Sequence, residues 1–238
     1  MPLISGDLRT LLCETLKVSC ADVTSSTFAG LLEVPGVDLS YQDEDCGATP
    51  AHWACWGGQT QCVRELANTG RVDWNKMNTN RGATPLNDAL WQAHSDIVSI
   101  IVSQPDIDYS VTTHDGETLT QLAVRRAGEK CVEILAAQEK CKSWNIPDKN
   151  GDTPILAAIK SNKIEIVRLL MKCPRVDLKT KDKNGSSLED LARWFVNNLI
   201  FDLDSFFLAR TEIRICWRSF LKLQSRHYNL IVNSYIEI

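Results

Sequence analysis

His52, Cys55 and Cys62 stand close together in "CGATPAHWACWGGQTQCVREL" at 46–66, and an imidazole with two thiolates is the start of a zinc donor set. Their spacing, H-x2-C-x6-C, brings no fourth ligand of matching position and follows no finger or ribbon pattern. The expectation is therefore a structural histidine and no metal. Asp43, Glu44 and Asp45 are adjacent carboxylates that could serve acid–base chemistry, but they fall in a short polar turn with no pocket to perturb them, and read as surface charge. The sequence holds no G-x-S-x-G, H-E-x-x-H, G-x-x-x-x-G-K-[ST] or G-x-G-x-x-G. Neither a catalytic residue nor a cofactor is expected, and the chemistry that remains is recognition.

The totals narrow the partner. Lys and Arg number 26 against 30 Asp and Glu, and the net charge of -4 gives no general electrostatic case for nucleic acid or an anionic membrane. Nine cysteines, an odd number with no C-x-x-C pair, read as reduced and mostly buried thiols inside a cell. The amino-terminal stretch carries Asp7 and Arg9 where a signal peptide needs an apolar core, and no stretch has the length and apolarity of a membrane span. An intracellular monomer, cytoplasmic or nuclear, is expected, with the sequon at Asn184 unused.

An internal repeat organises the chain. Gly47, Gly82, Gly116, Gly151 and Gly185 head "GATP", "GATP", "GETL", "GDTP" and "GSSL", spaced 35, 34, 35 and 34 residues apart. Upstream of each lies an echo of "GRVDWN", and downstream of the first four an aliphatic echo of "CVREL". The glycine suits a tight turn at positive φ, the following Thr (49, 84, 118, 153) suits a helix cap, and Pro suits the first helical turn. A short first helix with small residues at Ala54, Ala89, Ala123 and Ala158 would precede a second helix. Its aliphatic stripe runs Val63/Leu66, Ile97/Ile100/Ile101, Val132/Leu135 and Ile166/Leu169/Leu170.

"GATPAHWACWGG" at 47–58 resembles the ankyrin repeat pattern G-x-T-P-L-H-x-A-A-x-x-G, and the other units follow it more loosely. Leu119 replaces Pro in the third unit, Ser187-Leu188 replaces Thr-Pro in the fifth, and the His52 position becomes Asn87, Gln121, Leu156 and Asp190. The resemblance implies an all-α ankyrin-repeat solenoid. About five units would start near 45, 80, 114, 149 and 183 within 37–198, after an amino-terminal capping helix pair at 1–36 and before an apolar tail or capping helix at 199–238. It also implies that His52 makes hydrogen bonds between units, and that the last turn of each first helix faces a concave groove.

That last-turn position is held by Trp56, Trp91, Arg125, Lys160 and Trp194, with Arg126 beside Arg125. Trp and Arg bury large area with few rotors or pair bidentately with carboxylates, so the row is a candidate surface for a protein partner. The finger turns supply a second surface through Asp45, Arg81 and Asp115, their charge passing from acidic in the first finger to lysine-rich in the last. The function implied is a non-catalytic interaction module or adaptor. A second reading is a substrate receptor of a ubiquitin ligase, since Thr211, Cys216 and Phe220 keep the offsets of a SOCS box. Glu212 stands there in place of its leucine, and the cullin-binding half is missing. Asn145 resembles a finger asparagine open to hydroxylation, and Asn75 is displaced from that register by one residue.

Overall fold

The computed structural model describes residues 12, 13, 15, 16, 25–35, 37–188, 190 and 191. Trp194 and the 199–238 tail, with its SOCS-box-like residues, lie outside them, as does most of the amino-terminal pair. Helix α1 (Ser25–Leu32) is followed by four antiparallel pairs. These are α2 (Pro50–Trp56) with α3 (Thr60–Asn68), α4 (Pro85–Trp91) with α5 (Ser95–Val102), α6 (Leu119–Leu122, running into a π turn at Ala123–Ala127) with α7 (Glu129–Ala137), and α8 (Pro154–Lys160) with α9 (Ile164–Lys172). A fifth finger and a helix start follow. The described residues contain no strand; isolated bridges Thr112–Thr118 and Lys181–Ser187 pin the third and fifth fingers.

First helices stack on first helices and second on second, with α2 against α4, α3 against α5, α5 against α7 and α7 against α9. Ala54, Ala89, Ala123 and Ala158 are fully buried at the close approach, and Val63, Leu66, Ile97, Ile101, Val132, Leu135, Ile166 and Leu170 fill the layer behind them. Ile100 and Leu169, expected in the same stripe, are only half-buried. Each fully buried aliphatic side chain contributes about 1.5–3 kcal/mol, and it does so only where a neighbouring unit covers it. Leu12, Leu16 and Phe28 extend that layer at the amino-terminal end.

Why each first helix begins where it does is visible in its third residue. Thr49 N donates to His52 Nδ1 at 3.1 Å, so the ring proton sits on Nε2, which donates to Ala83 O of the next unit at 2.9 Å. Gln121 does the same double duty: Thr118 N donates to its Oε1 at 2.9 Å and its Nε2 donates to Ile146 O at 2.9 Å. Asn87 closes its own cap, accepting from Thr84 N and Oγ1 at 2.9 and 2.7 Å, but its side chain is a methylene shorter and its buried Nδ2 finds no partner. Leu156 can do neither, and Thr153 Oγ1 is left buried and unpaired. In the fifth unit Ser187 and Asp190 restore the box despite the lost Thr-Pro, with Ser187 Oγ and N donating to Asp190 Oδ2 at 2.7 and 3.0 Å. A reciprocal cap needs a hydroxyl and a reaching polar side chain, and not one particular pair of letters.

The third unit departs from the others. From its cap residue to the positive-φ residue between its helices the chain runs Thr49 to Gly58, Thr84 to Ala93 and Thr153 to Asn162, but Thr118 to Gly128, one residue longer. The surplus residue is absorbed as the π turn. Gly128 closes it at φ 81°, ψ -175°, a backbone conformation open in practice to glycine alone. Lys163 of the next unit stabilises the turn by donating from Nζ to Val124 O at 2.8 Å and Arg125 O at 2.7 Å, carbonyls near the end of the widened helix.

Candidate protein interface along the first helices

Trp56 and Trp91 end α2 and α4, and the structure brings them together through a residue from a finger. The Arg81 guanidinium lies 4.8 Å from the Trp56 ring centroid and 5.1 Å from that of Trp91. On Trp91 also rests Arg126, at 3.9 Å. Indole and guanidinium thus alternate, Trp56–Arg81–Trp91–Arg126, with each contact worth about 0.5–1 kcal/mol where solvent reaches it. Trp56 is 36% exposed, Trp91 is half-buried, and Arg126 is exposed.

Arg81 belongs to a finger tip, and its placement among the indoles has a local cause. In the first two fingers the turn-forming Asp43 or Asn78 stands four positions before its glycine, against three positions for Asp148 and Asp182. Asn78 Oδ1 accepts from Arg81 N and Ala83 N at 3.0 and 3.2 Å, sealing the longer loop. Arg81 O accepts from His114 N at 2.8 Å, which ties the finger to the next one. The side chain turns back to Asp88 of α4, Nη2 to Oδ1 at 2.6 Å. Burial raises Asp88 to about 7, with the Arg81 charge pulling the other way. Arg81 is thus anchored at its tip and flanked by indoles on its faces.

Further along the row the cations meet carboxylates. Arg125 Nη1 pairs with Glu117 at 3.1 Å, and Lys160 Nζ lies 2.5 Å from Asp152 and 3.3 Å from Asp182. The row expected at Arg125 is in effect doubled: the π turn sends Arg125 toward Glu117 and Arg126 onto Trp91. Asp115 is exposed and pairs with Lys149 at 3.0 Å, and Asp45 is exposed in the first finger. Beside it, Asp43 is held down at about 2. Its burial acts upward, but hydrogen bonds from the Cys46 amide and thiol, the Trp53 indole and the Ala48 amide outweigh it.

Asn145 is engaged at both ends of its amide, Nδ2 donating to Arg175 O at 2.9 Å and Oδ1 accepting from Asp177 N at 2.7 Å. Asn75 repeats this toward Asp106 O and Asp108 N. His52, Cys55 and Cys62 do not converge on a metal, because both imidazole nitrogens are committed to Thr49 and Ala83. Burial lowers His52 to about 4, so it is neutral near pH 7. Among the described residues no group of His, Cys, Asp or Glu is arranged to hold a metal, and no helix is long and apolar enough to cross a membrane.

The repeated finger and helix pair defines a class, and the comparisons agree: the model of ankyrin repeats in three copies matches residues 18–113 and 106–182, and the chain belongs to the ankyrin repeat family. Its relatives include the probable 26S proteasome regulatory subunit p28 of Saccharomyces cerevisiae, 28% identical over 71% of this chain and 76% of that protein. Rabankyrin-5 of Mus musculus is 26% identical over 79% of this chain, which spans only 16% of that protein. Among solved structures, a chain in the complex of the predatory endopeptidase Bd0816 of Bdellovibrio bacteriovorus with immunity protein Bd3460 superposes with a TM-score of 0.62. It is 27% identical over 79% of this chain and 92% of that one. Ankyrin repeats generally mediate protein–protein interaction and are generally non-catalytic.

Proposed function

We propose that this protein is a non-catalytic adaptor that binds a protein partner along the face formed by the ends of its first helices, with the finger tips at the rim. The observation that carries the reading is the alternating stack of Trp56, Arg81, Trp91 and Arg126. A solenoid core has no need of two tryptophans left partly open to solvent, whereas a partner gains from rigid aromatic surface whose ordering is already complete. Asp45, Asp115, Lys160 and Trp194 belong to the proposed surface by their register in the repeat. That one relative is a probable subunit of a larger assembly and one structural neighbour comes from a protein complex agrees with such a role. The working division is a capping pair at 1–36, repeats at 37–198 and a tail at 199–238, in an intracellular monomer. Hydroxylation of Asn145 is a separate proposal; intact-peptide mass spectrometry of protein from its own cells would show a gain of one oxygen there.

The test is a selection of peptides displayed on phage against the immobilised full chain, followed by binding of the selected peptide to Trp56→Ala/Trp91→Ala. Loss of binding with unchanged helical circular dichroism is expected. Undiminished binding would place the partner on another face.

A further inference from the structure

We infer that Arg126 is a receiving site for a partner carboxylate, so that the segment docking here is acidic: an Asp or Glu set on Arg126, with an apolar side chain a few residues away on Trp56. The inference rests on the reading of this face as the interface and adds the partner's chemistry.

Three observations converge on Arg126. First, among the described residues it is the cation of the row without a carboxylate. Arg81 has Asp88, Arg125 has Glu117 and Lys160 has both Asp152 and Asp182, whereas Arg126 rests on the Trp91 indole. Second, it is held ready. A guanidinium resting 3.9 Å over Trp91 is restrained by that contact while the residue stays exposed, and a guanidinium can grip a carboxylate bidentately. Third, a costly piece of backbone puts it there. The surplus residue of the third unit, the π turn, the conformation of Gly128 and the two bonds from Lys163 all serve to set two arginines where the other units set one residue. The first, second and fourth units close the same helix with one residue fewer, so the repeat itself does not require the surplus residue.

The stack also sets a spacing. Arg126, Trp91, Arg81 and Trp56 are joined by contacts of 3.9, 5.1 and 4.8 Å. In an extended chain the acid and the apolar residue are then no more than about four residues apart.

The experiment selects random sixteen-residue peptides displayed on phage against the wild-type full chain and, in parallel, against Arg126→Gln, an exposed substitution that leaves the core untouched. The wild-type pool should be enriched in Asp or Glu with an aromatic or aliphatic residue within about four positions, and the Arg126→Gln pool should lose the acidic enrichment. A synthetic peptide from the wild-type pool should bind Arg126→Gln about tenfold more weakly or worse. Changing its acid to the amide should cost the same, and the two changes together little more than either one. Arg126→Lys should fall between, and Lys163→Met, which frees the turn without touching the peptide, should weaken binding less than Arg126→Gln. A pool without acidic enrichment, or a selected peptide indifferent to Arg126→Gln but lost on Trp56→Ala/Trp91→Ala, overturns the inference while the interface stands. Failure to select any peptide, or peptides indifferent to both tryptophans, overturns both.

Discussion

In the amino-terminal half of the row a cation, Arg81, lies between two indoles; in the carboxy-terminal half the equivalent length of surface carries Lys160 enclosed by Asp152 and Asp182. Trp56, Trp91 and Lys160 share one register of the repeat, and Arg81 reaches it from a finger. An ammonium that finds two carboxylates within 3.3 Å is spent on holding adjacent units together. Arg81 gives one edge nitrogen to Asp88 at 2.6 Å, and the indoles on its faces keep apolar area for something else. The halves differ inside as well. The first joins its units by a neutral buried imidazole at His52, and the fourth, with Leu156 at that position, relies on the ion triad instead.

The comparison breaks first if the wrong half binds. With a selected peptide, Trp56→Ala/Trp91→Ala should lose affinity by about 100-fold or more, since anchors of this type carry at least about 2 kcal/mol each. Lys160→Met should leave affinity nearly unchanged, yet lower Tm at pH 7, because two facing carboxylates lose their cation. Equal loss of affinity in both variants would erase the distinction between the halves.

Acid should separate the halves next. His52 titrates at about 4 in the folded chain against 6.5 ordinarily, so between those values the unfolded chain binds the extra proton and stability falls as the pH is lowered. The loss approaches ~3 kcal/mol. Urea unfolding of wild type and His52→Asn at pH 7 and 4.5 should show a steep loss in the first and a shallower one in the second. Hydrogen exchange at pH 4.5 should then open α2 and α3 before α8 and α9.

Gly128→Ala should destabilise by about 1–3 kcal/mol through backbone strain alone, since a methyl there would meet no atom within 4 Å. Unfolding in urea checks it, and an unchanged midpoint would mean that the π turn relaxes freely. The smallest effect belongs to Asn87→Gln. A longer amide should reach the carbonyl of Val111, the counterpart of Ile146, and add about 0.5–1.5 kcal/mol by pairing the orphaned donor.

The repeat, its period, the cap position of each first helix and the small-residue layer were legible in the sequence, because these follow from turn chemistry and helical spacing within a few residues. The sequence also named Trp56, Trp91, Arg81 and Arg126 as residue types suited to binding. The surplus residue between Thr118 and Gly128 was there to be counted, and its consequence could have been sought in the longer spacing. Not legible there were the turn of Arg81 from its finger to Asp88, its place between indoles from two units, and the pairing of Lys160 with Asp152 and Asp182. Those outcomes depend on distances across unit boundaries, where a longer finger or one extra helical residue changes which side chains meet. Local patterning carries no record of that until the units are stacked.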